Sequence, residues 1–180
     1  MATSPPLLSI EVYLQTSYKP DVHFIDGEIE ERNVGEHTHS FIQTFITALF
    51  ALHEEEWRAE AVVEQRIRIN SSQVRVCDVA ILQSDAPWEE VISIPPIACI
   101  EIKSQEDRLS RAEKVLADYF AMGVPNIWLI DPHKRKVYSY AGGSMHEIDA
   151  TELIFRNSPI RISLTALFAK LDKKLAANRL

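Results

Sequence analysis

Two stretches of the chain, VRVCDVAIL (residues 74–82) and IACIEIK (residues 97–103), are apolar at almost every position. A strand with one solvated face alternates apolar and polar residues, whereas a strand apolar on both parities is covered on both faces. These two runs therefore predict interior strands of a layered α/β protein. The exceptions inside them are charged: Arg75 and Asp78 in the first, Glu101 and Lys103 in the second. A buried charge is costly unless it meets a partner, so chemistry is to be sought first at the residues that break the pattern.

The flanking sequence supplies the other elements. HFIDGEIEER (residues 23–32) sets Asp26-Gly27 between two short runs, a hairpin signal. From about His37 to His53, Phe41, Ile42, Phe45, Ile46, Leu49 and Phe50 recur at helical spacing and form one wide apolar face. AVVEQRIRI (residues 61–69) predicts a strand ahead of the two interior ones. RLSRAEKVLADYFAMG (residues 108–123) predicts a helix with Leu109, Ala112, Leu116, Tyr119 and Phe120 inward, stopped by Gly123 and Pro125. NIWLID predicts a buried strand with Ile127 and Trp128 in the core, and KVYSYAGGSMHEI a hairpin about Gly142-Gly143. SLTALFAKLDKKL predicts an amphipathic helix with a basic last turn, as the helix dipole favours. This order predicts an α/β architecture with a central mixed β-sheet flanked by helices. At 180 residues and 46% hydrophobic composition, the expectation is a single domain over residues 1–180, with residues 1–20 as an N-terminal arm and residues 163–180 as a C-terminal helix.

Several function classes are disfavoured. No apolar run reaches membrane-spanning length, and the opening residues lack the basic and apolar regions of a signal peptide, so no membrane and a cytoplasmic location are expected. Cys77 and Cys99 have no metal or redox spacing; strand parity puts them on opposite faces, as packing residues. The formal net charge of -7 argues against coating nucleic acid by bulk attraction. Residues 1–60 hold 11 acids against Lys19, Arg32 and Arg58, which leaves the remainder close to neutral and able to present a local basic groove.

Glu101 and Lys103 are two apart in a strand and emerge from one face, and Asp78 lies mid-strand on the parity of Val74, Val76 and Ala80. If the strands are neighbours, Asp78 and Glu101 converge on one hard cation. Mg²⁺ takes oxygen ligands, and two carboxylates with the Ile102 carbonyl supply such a half-shell. A cation there acidifies water, and Lys103 can position that water or balance phosphate charge, which points to phosphodiester hydrolysis. The plain alternative is a cross-strand ion pair in which Lys103 neutralises the two acids.

VRVCDVAIL, PPIACIEIKS, the helix carrying Lys114 and Tyr119, and MGVPNIWLIDP together resemble the Uma-type restriction endonuclease family of the PD-(D/E)XK nuclease superfamily, over about residues 18–140. The resemblance implies a restriction-endonuclease-like core with a divalent metal, Mg²⁺ or Mn²⁺, at the acids. It sets the superfamily's first acid on Asp78, its second on Glu101 and its lysine on Lys103. Cys77 stands where the motif has proline. In relatives that lack the strand lysine a helix lysine similar to Lys114 is implied to substitute, and this sequence has both. The resemblance also implies an acid from the N-terminal region, for which Glu31 and Glu36 are candidates, and a first-helix histidine at His39. Gln65 is an inward polar residue able to face the site. The implied activity is metal-dependent DNA endonuclease cleavage, with a homodimer expected for duplex substrate. A catalytically inactive nuclease-fold regulatory or assembly module is the competing reading, favoured by the lack of a recognition module or strong basic patch.

Overall fold

A computed structural model describes residues 7–32 and 36–177. Residues 1–6 of the expected arm and 178–180 of the expected C-terminal helix lie outside the described residues, as do residues 33–35.

Within the arm, Ser9 starts a short helix, α1 (Ile10–Gln15), by accepting the Val12 N–H. The helix sinks Tyr13 against Val22, Phe24 and Val74, and the Tyr13 hydroxyl donates to the Val22 carbonyl at 2.7 Å. The expected hairpin is β1 (His23–Ile25) and β2 (Glu28–Glu30). Asp26 and Gly27 both have positive φ, 49° and 90°, the turn geometry whose twist matches hairpin strands. The first long helix, α2 (His37–Trp57), buries Ile42, Ile46 and Phe50 and runs four residues beyond His53, ending on Arg58 in the left-handed region.

Three strands follow: β3 (Ala59–Arg68), β4 (Gln73–Gln83) and β5 (Ala98–Ile102). Next come α3 (Leu109–Met122), capped by Gly123 at φ 97°, then β6 (Asn126–Asp131) and the hairpin of β7 (Lys136–Ala141) with β8 (Ser144–Ile148). A small ladder of β9 (Glu152–Ile154) and β10 (Arg161–Ser163) precedes α4 (Leu164–Ala177). At three residues each, β9 and β10 are too short to show a period, and sequence reading missed them.

Among the described residues the main sheet has eight strands, ordered β2-β1-β4-β5-β6-β7-β8, with β3 on the other side of β4. Only β5 and β6 run parallel, so the sheet is mixed. On one face α2 and α4 cover Val79, Ile81, Ala98, Ile100, Ile102 and Ile130. On the other, α3 covers Ala80, Cys99, Ile127 and Leu129. The central strands are thus buried on both faces, as their composition requires. Phe120, expected inward on α3, is instead exposed, with its ring 5.5 Å from that of Tyr140.

The sheet forks at β4. One side of this strand pairs with β3 from Val74 to Gln83. Its other side meets β1 only at Gln73 and Val74, and β5 only from Val79 to Ile81. The stretch 75–78 lies in the gap. Alternation fails there too: the 63–79 and 65–77 pairs form, whereas Glu64 and Asp78 do not pair, and Glu64 has φ 51°. Cys77, expected opposite Cys99, consequently sits beside it in the α3-side core, close enough for a thiol hydrogen bond. Parity counted through the irregular position gave the wrong face.

Candidate active site

Backbone groups left unpaired by the fork must find other partners, because a buried unpaired N–H or C=O costs as much as a lost hydrogen bond. Side chains supply them. The Val76 N–H donates to His23 Nδ1 at 3.0 Å, the Ile102 N–H donates to Asp78 Oδ2 at 2.7 Å, and Gln43 Nε2 donates to the Asp78 carbonyl at 3.0 Å. Asp78 therefore belongs to the sheet's own hydrogen bonding, which explains its place in an apolar strand. Anchoring Oδ2 also aims the other oxygen. Asp78 Oδ1 accepts from Arg32 Nη2 at 2.5 Å and lies 3.5 Å from His39 Nε2.

Glu64 completes this side of the fork. Its left-handed backbone, uncommon for a residue with a side chain, accompanies a carboxylate that accepts from Arg32 and, at 2.6 Å, from Gln43 Nε2. One ligand atom each of His39, Glu64 and Asp78 lies within 4.8 Å of the others. His39 Nε2 is buried and has no hydrogen-bond partner among the described residues. An orphaned buried nitrogen beside two carboxylates calls for an explanation, and this donor set fits a divalent cation.

Asp78, Glu101, Ile102 and Lys103 line one small cavity of about 70 Å³, together with His39, Arg32 and Arg111. That volume accommodates a few waters or an ion with part of its water shell. Burial drives the Asp78 carboxyl up, against the pull of His39 and Arg32. Burial, and then Asp78 itself, drive Glu101 well above the usual carboxylate range. Burial opposes the charge on Arg32, yet Asp78 and Glu64 outweigh it and raise its pKa. His23 moves the other way, held well below the ordinary imidazole value by burial and by Arg75, as befits a neutral acceptor.

The expected site residues are distributed unevenly. Asp78 and Glu101 line the same cavity with different partners: Glu101 Oε1 accepts from the Tyr119 hydroxyl at 2.7 Å on the α3 side, and Glu101 is outside the cluster of His39, Glu64 and Asp78. Ile102 turns its N–H to Asp78, and its carbonyl leaves the strand on the same side, as both groups of an extended residue do. Lys103 is buried, and its Nζ donates to the Ser104 carbonyl at 2.9 Å. Lys114 is exposed and does not line the cavity; from α3 the lining residues are Arg111, Ala112 and Val115. Glu31 is exposed, and its carbonyl accepts from Arg111. Glu36 stands at the N-cap position of α2 without a side-chain cap bond and lies 3.4 Å from His133. Gln65 faces away from the cavity and donates to the Glu90 carbonyl at 3.0 Å.

Arg32, Glu64, Gln43 and Tyr119 were not singled out as site residues from the sequence. By sequence spacing Arg111 falls on one helix face with Asp107 and Lys114, a candidate cleft mouth, and Arg111 and Asp107 do line the cavity. Arg32 and Glu64 lie 46 and 14 positions before Asp78, the first on the connection after β2 and the second within β3, and nothing local marks either position. The one local signal was Gln43, a polar residue next to the apolar face of α2.

A mixed sheet flanked by helices, forked at a buried aspartate with a glutamate on the adjoining strand and a lysine just past that strand's end, is a restriction-endonuclease-like arrangement. The fold is shared with a crystal structure from Anabaena variabilis described as a "putative nuclease belonging to DUF820", at TM-score 0.77 and 22% identity, over 91% of this chain and 99% of that one. The family model described as "Uma2: Putative restriction endonuclease" matches residues 5–168, and the chain belongs to that family. No functionally curated protein matches it.

Proposed function

We propose that this protein is a divalent-metal-dependent endonuclease that hydrolyses DNA phosphodiester bonds at the fork. The observation that carries the reading is Asp78: a buried carboxylate that lines one cavity with Glu101 and Lys103, fixed through Oδ2 to the neighbouring strand and with Oδ1 on Arg32. Lys103 does not form the alternative cross-strand ion pair among the described residues: its Nζ bonds to the Ser104 carbonyl, and the cation on Asp78 is Arg32. Family membership and the shared fold give the same direction.

Asp78 would hold the cation, with Glu101 and the Ile102 carbonyl within the same cavity, and Mg²⁺ or Mn²⁺ is the ion expected for oxygen donors. When bound, such an ion acidifies water and offsets charge on a phosphate. Glu101, whose carboxyl is pushed upward, must release its proton before it can serve as ligand or base. Lys103 and Arg111 put positive charge on the cavity wall, where a phosphate oxygen would enter. Tyr119 restrains Glu101 through its hydroxyl. One cavity serves one strand at a time, so two copies together would cut both strands of a duplex, and a homodimer is the expected working form.

The test is nicking of supercoiled plasmid with Mg²⁺ or Mn²⁺ by the wild type beside Asp78→Asn and Lys103→Met. Loss of at least about 100-fold is expected for each. Cleavage that survives Asp78→Asn would sink the assignment, and cation binding at Asp78 without any cleavage would favour the inactive module. Sedimentation of the cleavage-competent complex should give two chains of 20.5 kDa per duplex.

A further inference from the structure

Arg32 is bonded to both carboxylates that an incoming cation would need. Its guanidinium donates to Glu64 and, at 2.5 Å, to Asp78 Oδ1, while His39 Nε2 stands 3.5 Å from the same Oδ1 and 3.8 Å from Glu64 with no hydrogen bond among the described residues. The position between Glu64 and Asp78 thus already holds one positive charge, supplied by the chain. We propose that Glu64, Asp78 Oδ1 and His39 are the seat of the divalent cation, and that Arg32 is the chain's own occupant of that seat, displaced when the ion binds. This rests on the metal-dependent reading above and adds to it a ligand set and a competitor.

Three independent features point to this seat over one centred on Glu101. The accepting oxygens are already turned toward a cation, whereas Glu101 Oε1 is committed to Tyr119. The buried imidazole nitrogen has its lone pair or proton unmet, which a coordinate bond would satisfy; neutral imidazole is a common metal ligand. Glu64 keeps a left-handed backbone, φ 51°, inside an otherwise regular strand, a conformation that persists only where surroundings or function hold it. Arg32 lies past the end of β2 on the connection to α2, so no sheet ladder ties its backbone at that point. A divalent ion ligated by Asp78 Oδ1 at about 2.0–2.6 Å would meet the Arg32 guanidinium on the same oxygen as a like charge a few ångströms away, so the two compete for that oxygen. The nitrogen donor also sets ion preference. An imidazole favours Mn²⁺ over Mg²⁺, which keeps to oxygen ligands and its own waters.

The test is Mn²⁺ and Mg²⁺ binding, without nucleic acid, by calorimetry and by the rise in thermal midpoint with ion concentration, for wild type, Arg32→Gln, Glu64→Gln, Glu101→Gln, His39→Gln and Asp78→Asn. Removing the competitor should tighten Mn²⁺ binding in Arg32→Gln by 10-fold or more. Glu64→Gln should weaken it by at least 10-fold, more than Glu101→Gln does, and His39→Gln should narrow the gap between Mn²⁺ and Mg²⁺. If Arg32→Gln is unfolded without ion, folding driven by Mn²⁺ gives the same affinity, and Arg32→Lys, which keeps one charge but cannot span both acids, should fall between. Affinity unchanged or weakened in Arg32→Gln, or insensitive to Glu64→Gln while Asp78→Asn abolishes binding, overturns this seat and leaves the metal-dependent reading standing. No binding in the wild type or in Arg32→Gln overturns both.

Discussion

Single positions in this protein combine structural and chemical duties. Asp78 closes a gap in the sheet with one oxygen and faces the cavity with the other. His23 also closes the gap and lines the same cavity: it accepts the Val76 N–H and is kept neutral by burial and by Arg75. Its folded pKa lies well below the ordinary imidazole value of about 6.5, so between those two values the unfolded chain binds more protons. Stability contributed by the neutral His23 is therefore present above about pH 6.5 and is lost as pH falls toward the folded pKa, at up to about 1.4 kcal/mol per pH unit. His23→Asn, which keeps an acceptor but cannot titrate, should flatten that part of the profile in denaturant titrations at pH 5–7. A profile unchanged by the substitution would assign the acid sensitivity to other groups.

At the scale of elements, β3 and β4 depart from regular pairing at one place, and that place carries the acids. Glu64 breaks its rung of the ladder with φ 51° and puts its carboxylate beside Arg32. Most residues disfavour this region and glycine does not, by roughly 1 kcal/mol. Glycine ordinarily weakens a strand relative to alanine, so the order at position 64 should be inverted: Glu64→Gly is expected to be more stable than Glu64→Ala by about 1 kcal/mol in urea unfolding. The usual order, alanine above glycine, would show that β3 relaxes to a regular strand once the carboxylate is gone. The α2 helix contributes at the same place through His39 and Gln43, one helical turn apart, while α3 reaches the other acid with Tyr119.

For the whole molecule, the core lies in two layers on either side of the sheet, and the site opens at the fork that lies between them. No helix among the described residues is long and apolar enough to cross a membrane. A ligand that binds only the folded form stabilises it by about 2.7 kcal/mol at 100 times its dissociation constant. For a chain of 180 residues this corresponds to a rise in thermal midpoint of roughly 5–10 °C with saturating Mn²⁺, lost in Asp78→Asn. An equal rise in both proteins would place the ion elsewhere. By itself the sequence determined the layers: runs apolar on both parities had to become covered strands, six apolar residues at helical spacing had to become the buried face of α2, and charges inside the strands marked Asp78, Glu101 and Lys103 as the residues to examine. These are local regularities, and period and composition report them directly. Only the tertiary structure decided where the sheet forks, that Cys77 turns to the side of Cys99, that Lys114 and the Glu31 carboxylate stay outside the cavity, and that Arg32 and Glu64 come to Asp78. Those outcomes depend on hydrogen bonds between distant strands and on one irregular residue that shifts parity, and neither leaves a periodic trace in the chain.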